Sequence, residues 1–146
     1  MNDKRQLLRH LVATVVFRGR VAIDGAPAEF ADFKPSDDTR SPREILAHIG
    51  DLLIGSESLL RGEFIELGSA PLSWPDEVER FYAAARKLDD LLAGEHALAY
   101  DVEKFVQGPV GDALTHVGQI VLLRRIAGAP VKAAPYFSAD IVPAEF

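Results

Sequence analysis

Apolar residues recur every three or four positions in four segments of the chain, which is the spacing that places them on one face of an α-helix. The first segment predicts a helix over residues 4–21, and the others predict helices over 41–61, 73–94 and 108–127. A shorter apolar cluster predicts a single helical turn over 101–107. No segment alternates between apolar and polar residues as a half-buried strand does. The pattern therefore predicts an all-α protein whose long helices pack as a four-helix bundle.

Start and stop signals sharpen the ends of these helices. Ser41, Pro42 and Glu44 form the pattern of a capping box, with proline at the first helical position. Gly62 follows this second helix at a position where glycine commonly ends one. The loop over 26–40 is long for a connection between helices, so we expect it to pack over one end of the bundle.

The length of 146 residues indicates a single domain over residues 1–146, large enough to bury a core of its own. The last predicted helix is the most apolar of the four, and we therefore place it at the centre of the bundle. The tail over 131–146 contains Tyr136, Phe137 and Ile141, so we expect it to pack along the bundle as an ordered extension.

Charge and cysteine content narrow the classes of function. With 22 acidic against 16 basic residues, the net charge is −6, and we expect no nucleic-acid partner because no basic cluster is present to neutralise phosphates. The apolar runs are far shorter than a membrane span and the charged N-terminus lacks a signal-peptide core, which predicts a cytoplasmic protein with no membrane partner. The absence of cysteine excludes disulfides, thiolate metal ligands and a cysteine nucleophile.

Two of the four histidines lie where side chains should face the bundle interior. His48 shares a helical face with Ile45 and Leu52, which are predicted to be buried. His116 lies in the middle of the last helix, four residues after Asp112, and that spacing places the two side chains on one face. Together with Thr115 and Gln119, Asp112 and His116 form a polar ribbon in an otherwise apolar helix.

Three interpretations of this ribbon are open. It faces solvent; it forms an internal polar network in which Asp112 accepts from His116; or it meets His48 across the bundle and holds a metal ion with two imidazoles and one carboxylate. An ionised aspartate in a core is costly unless it is paired or metal-bound, so Asp112 is expected to need a partner. His10 is the only plausible fourth ligand, and His96 is expected to be a solvated loop residue.

Two segments resemble the second and fourth helices of the DinB and YfiT-like family. They are residues 39–52, which include Thr39, Pro42 and His48, and residues 108–131, which include Asp112 and His116. The resemblance implies an up-down-down-up four-helix bundle that holds nickel, zinc or iron with three histidines. His48 matches the first of these histidines and His116 the last, whereas Asp112 stands at the position of the middle one.

The carboxylate at position 112 has two possible consequences. It completes a set of two histidines and one carboxylate, which suits zinc, nickel or iron and makes His48, Asp112 and His116 the expected metal ligands, with Gln119 supporting them from outside. Alternatively, it marks a branch of the family that has weakened or lost the metal.

The resemblance also implies a function. Characterised relatives are thiol-dependent transferases and isomerases, so a metal-dependent enzyme of thiol transfer or detoxification is expected, acting as S-transferase, hydrolase or isomerase through an activated thiolate or water. Its partners would be a small-molecule electrophile and a low-molecular-weight thiol, and a homodimer is expected because relatives often form one. The alternative is a metal-free, stress-associated bundle that binds a small molecule or a protein.

Overall fold

The computed structural model describes residues 3–146, and all of its regular structure there is helical. The long helices are α1 (Asp3–Ile23), α2 (Pro42–Leu60), α3 (Trp74–Ala93) and α5 (Gly111–Ile126), and α4 (Val102–Phe105) is a single turn before α5. A 3₁₀ turn over Ala28–Asp32 lies in the loop after α1. The prediction of an all-α protein with four long helices is confirmed.

The capping box at the start of α2 is present with both of its hydrogen bonds. The backbone N–H of Ser41 donates to Glu44 Oε2 at 2.6 Å, and the N–H of Glu44 donates to Ser41 Oγ at 3.3 Å. The Ser41 N–H, assisted by Lys34, holds the pKa of the Glu44 carboxyl below its usual range. The stability that this carboxylate contributes is therefore present above its unfolded-state pKa and is lost as the pH falls through the folded-state pKa.

Replacing Ser41 by alanine should destabilise the protein by about 1 kcal/mol, because the helix loses a side-chain acceptor for an otherwise unpaired N–H. Urea denaturation of S41A measures this loss. The matched control is Ser36→Ala in the preceding loop, where the exposed hydroxyl caps no helix. Equal stability of the two variants would show that the capping box adds nothing.

The core lies between the four long helices. α1 and α2 each pack against α3 and α5. Helices α1 and α3 approach each other closely where Phe81 of α3 lies against Gly19 of α1, since a Cβ at position 19 would lie 2.6 Å from the Phe81 ring. The largest fully buried apolar side chains come from all four helices and from the loop after α1: Leu8, Phe30, Leu46, Ile49, Leu53, Leu60, Phe81, Leu88, Leu92 and Ile120.

Long-range contacts of arginines fix which helix ends are neighbours. Arg43, at the start of α2, donates to the carbonyl of Leu72, just before α3 begins. Arg9, near the start of α1, binds Asp89, near the end of α3. The beginnings of α2 and α3 therefore lie side by side, whereas α1 and α3 run in opposite directions.

Buried arginines complete the ends of two helices. The Arg5 guanidinium donates to the carbonyls of Leu91, Leu92 and His96, which lie at and after the end of α3. Arg124, only 4% exposed, donates to the carbonyl of Ala22 at 2.9 Å and so joins the last turn of α5 to that of α1. Burial lowers the pKa of Arg124 from its ordinary value. These guanidinium groups satisfy carbonyls that a helix end leaves without partners.

The predicted break before the last helix is replaced by a π-helical turn. A separate turn over 101–107 and a new helix at Gly108 were expected, but α4 continues through a π turn over Val106–Val110 into α5. Proline has no N–H and its ring crowds the carbonyl four residues earlier, and the wider turn accommodates Pro109. Glycine at position 111 avoids crowding after this turn, since a Cβ there would lie 3.0 Å from the carbonyl oxygen of Val106.

Two further predictions have different outcomes. The tail packs on the bundle only in part: Tyr136 makes an edge-to-face contact with Phe17 and Arg86 donates to the Phe146 carbonyl, whereas Phe137 is fully exposed. The central placement of the last helix is wrong, because α5 buries only one narrow face and leaves Leu122 and Ile126 about half exposed. Within residues 3–146, no helix combines the length and apolar character that crossing a membrane requires.

Candidate metal centre

Facing positions of α2 and α5 bring His48, Asp112 and His116 together. His48 Nε2 lies 3.2 Å from Asp112 Oδ2, and His116 Nε2 lies 3.3 Å from Asp112 Oδ1. The two imidazole rings meet edge to face, with centroids 4.8 Å apart and an interplanar angle of 88°. One potential ligand atom from each residue lies within 4.8 Å of the others. The three side chains that the sequence singled out therefore converge on a common point.

The group lies at the surface of the bundle and not in its interior. Asp112 has 46% of its side chain exposed, His48 has 34% and His116 has 14%. The expectation of an interior site was wrong because α5 lies at the edge of the core and turns only one narrow face inward. The desolvation cost assigned to a buried aspartate therefore does not apply, and the ionised carboxylate is accessible to solvent and to ions.

Gln119 fixes the orientation of the His116 ring. His116 Nδ1 lies 2.8 Å from Gln119 Oε1, and with the amide in this orientation its oxygen accepts a hydrogen bond from a proton on Nδ1. In neutral imidazole the other nitrogen, Nε2, then presents a lone pair to the Asp112 carboxylate at 3.3 Å. A proton or a cation between Nε2 and the carboxylate would stabilise this arrangement.

The donor set fits a divalent transition metal. Bonds of about 2.0–2.1 Å in a tetrahedral site separate neighbouring ligand atoms by about 3.3 Å. Each imidazole lies at about this distance from a different oxygen of Asp112, and the three ligand atoms of the group lie within 4.8 Å of one another. The group His48, Asp112 and His116 could therefore hold a metal ion.

The other candidates stand apart from this group. His10 is exposed on α1, and His96 lies in the loop after α3 with its ring against Gly94, so neither supplies a fourth ligand. Thr115, expected in the polar ribbon, donates through its hydroxyl to the backbone carbonyl of Asp112. Its side chain is therefore occupied within α5.

An open groove of about 600 Å³ extends from the two histidines along α2 and α5. Its apolar wall consists of Ile45, Leu122, Leu123 and Ile126, and the loop residues Pro35, Asp38, Thr39 and Arg40 form the opposite rim. The volume lies in the range of small-molecule sites, and an apolar wall with a few polar groups is typical of them. We call this feature, with His48, His116 and Gln119 at its near end, the α2–α5 groove.

Sequence reasoning missed the groove. The signal that could have indicated it is the apolar character of α5 on two faces, since Leu122 and Ile126 lie off the face that packs into the core. The long loop was expected to pack over one end of the bundle, and residues 35–40 of it line the groove beside the start of α2.

The sequence was compared with protein-family models and with curated proteins, and the fold with solved structures, and none of them matches. The resemblance to DinB and YfiT-like proteins, and the homodimer that it implies, therefore stay predictions.

Proposed function

We propose that the protein binds one divalent metal ion through His48, Asp112 and His116 and is a metal-dependent enzyme acting on a small molecule held in the α2–α5 groove. The observation that supports this most directly is the convergence of three potential ligand atoms within 4.8 Å, two of them from histidines that line an apolar groove. The candidate metal ligands would supply the reactive group, and the groove would supply the surface that binds the substrate.

The choice of metal follows from the ligand types. Two imidazoles and one carboxylate suit zinc, nickel or iron, whereas calcium and magnesium prefer oxygen ligands throughout. A bound ion of this kind supplies Lewis-acid chemistry, which lowers the pKa of a coordinated thiol or water. Gln119, by accepting a hydrogen bond from His116 Nδ1, would leave Nε2 free as a ligand. Ile45 and Leu123 contribute apolar surface to the wall of the groove beside these groups.

The reaction class we propose is thiol-dependent transfer to a small electrophile. The chain has no cysteine, so a sulfur nucleophile must come from a low-molecular-weight thiol that enters the groove. The all-α bundle of four long helices is compatible with the family resemblance behind this proposal, and the contact between the starts of α2 and α3 supports an up-down-down-up order as part of it.

Titration of cobalt-loaded protein with 2-mercaptoethanol tests whether a thiol reaches the metal. Coordination of the thiolate should add an intense near-ultraviolet absorption that saturates with one thiol per chain. His10→Ala, outside the group, should respond as the wild type does. Cobalt-loaded protein whose spectrum stays unchanged at saturating thiol would overturn the thiol-transfer proposal while leaving the metal site intact.

A specific observation favours a second candidate, a metal-free bundle that binds a small molecule or a partner. The Asp112 carboxylate already lies within hydrogen-bonding range of His48 and forms an ion pair with His116 when that ring is protonated. A proton can thus replace the cation between the two groups. Asp112→Ala separates the candidates: loss of metal with an unchanged melting temperature indicates ligation, whereas a large fall in the melting temperature of metal-free protein indicates a structural pair.

Replacing Gln119 by alanine should lower the zinc affinity by about 10-fold, at the low end of the effect expected for a residue that orients a metal-bound histidine, because Gln119 is exposed. Competition with a chromophoric chelator measures this change. Gln107→Ala, an exposed glutamine outside the group, is the control and should bind zinc as the wild type does. An unchanged affinity in Q119A would show that the bond to His116 Nδ1 has no role in ligation.

A further inference from the structure

The α2–α5 groove has two chemically different ends. The near end has the imidazoles of His48 and His116, and the far end is lined by Ile126 together with the loop residue Arg40. Between them the wall is apolar, with Leu122 about half exposed along it. A ligand that fills the groove therefore meets polar groups at both ends and hydrocarbon in the middle.

Arg40 is the charged group at the far end that lacks a partner. Two other cations of the same region are paired: Arg43 donates to Asp32, and Lys34 lies 3.2 Å from Glu44 Oε2. Arg40 has no hydrogen bond or ion pair to any other residue in the described part of the chain. Its guanidinium is exposed and lines the groove, so it is available to an anion.

The surrounding charges favour an anion with a single negative charge. Arg40 lies directly before Ser41, the N-cap of α2, and the Glu44 carboxylate already occupies that helix end, so the attraction for an anion comes from Arg40 itself. Asp38 also lines the rim and repels anions, which disfavours a doubly charged phosphate more than a carboxylate. Arginine binds a carboxylate with two parallel hydrogen bonds, a geometry that suits this position.

The span of the groove sets the length of the ligand. His48 and the first residue of α2 are six residues apart, so the helical rise separates the metal group from the Arg40 end by on the order of 10 Å. A short anion such as acetate cannot contact the apolar wall and Arg40 while also reaching the histidines. A chain of medium length can.

We propose that the α2–α5 groove binds a medium-chain carboxylate, with the carboxylate on Arg40, the hydrocarbon against Ile45, Leu122 and Ile126, and the far end of the chain directed to His48 and His116. The assignment of that end as the reacting one rests on the proposed function. Carboxylate binding at Arg40 does not need the metal, so the two can fail separately.

Titration of the metal-free protein with octanoate, followed by ¹H–¹⁵N NMR, tests the proposal. We expect shifts to concentrate at Arg40, Ile45, Leu122 and Ile126. Arg40→Met should weaken octanoate binding by about 10-fold, because a charge-assisted hydrogen bond is lost at a partly solvated position. Arg125→Met is the matched control, since Arg125 is exposed near the end of α5 but does not line the groove, and it should bind as the wild type does.

Further titrations test the role of the ligand's charge and of the apolar wall of the groove. 1-Octanol has no negative charge for Arg40 to bind. Its affinity for the wild type should therefore be no higher than the affinity of octanoate for R40M. Leu122→Asp, at an exposed position, should abolish octanoate binding without unfolding the protein, because it places a like charge on the apolar wall. Octyl phosphate should bind more weakly than octanoate because of Asp38.

Several results would overturn the proposal. Equal octanoate affinity in R40M and wild type, shifts outside the groove, or tighter binding of octyl phosphate would each do so. Octanoate binding that requires zinc and ignores Arg40 would make the carboxylate a metal ligand and would also overturn it. Binding that depends on Arg40 in a protein that takes up no zinc would instead support this assignment and remove the metal-dependent function.

Discussion

Replacing His116 by alanine should lower the zinc affinity by more than about 100-fold, since even a residue that only orients a metal ligand changes affinity by 10- to 100-fold. His116 is the least exposed of the three candidate ligands, and its Nε2 faces the Asp112 carboxylate at 3.3 Å. Loss of its imidazole leaves one nitrogen and one carboxylate, too few for tight binding. Competition with a chromophoric chelator measures the affinity of the purified variant.

The chain provides its own controls for this experiment. His10 and His96 lie outside the group, so His10→Ala and His96→Ala should bind zinc as the wild type does. His48→Ala should resemble H116A, because His48 supplies the only nitrogen donor from α2. If all four histidine variants showed the same small reduction in zinc affinity, zinc would be binding to scattered surface sites and not at the proposed centre.

Replacing Arg9 by methionine should have the largest effect on stability, lowering the free energy of unfolding by about 3 kcal/mol. Arg9 binds Asp89 through two hydrogen bonds of 2.9 and 2.8 Å, and the Asp89 side chain is only 2% exposed. The bond to Asp89 also raises the pKa of Arg9. Without the guanidinium, Asp89 remains buried with no cation to compensate its charge. Urea denaturation measures the difference.

Two further variants separate the effect of the buried charge on stability from other effects of the substitution. Arg125→Met, an exposed arginine, should change the stability by less than about 0.5 kcal/mol. The double variant R9M/D89L should be more stable than R9M, because removing both charges leaves no unpaired group in the core. A double variant as unstable as R9M would assign the loss to packing of the Arg9 side chain instead.

Local signals in the sequence predicted the ends of α2 accurately. Ser41, Pro42 and Glu44 act within one turn of the chain, so their capping geometry depends little on the rest of the fold. The convergence of His48, Asp112 and His116 was also predictable, because a spacing of four residues fixes the second and third on one helical face and the resemblance placed the first opposite.

Exposure of the site was not predictable from the same residues. The apolar composition of α5 indicated a central helix, but apolar side chains on two faces serve two purposes here. Val117 and Ile120 pack into the core, whereas Leu122 and Ile126 line the groove. Periodicity identifies apolar faces and does not say which of them another helix covers.

Contacts between distant parts of the chain account for the other differences. Arg124, near the end of α5, is buried and binds the carbonyl of Ala22, 102 positions away. Pro109 indicated a helix start, but the packing of its neighbours Phe105 and Val110 into the core favours a continuous helix with a π turn. Both outcomes depend on tertiary packing that no local pattern encodes.

The most direct test of the metal centre is a crystal structure of protein grown with zinc, examined by anomalous scattering at the zinc absorption edge. We expect one anomalous peak per chain, about 2.0–2.2 Å from His48 Nε2, His116 Nε2 and an Asp112 carboxylate oxygen. Absence of a peak between α2 and α5, with zinc in the crystals bound elsewhere or not at all, would contradict the proposed metal centre.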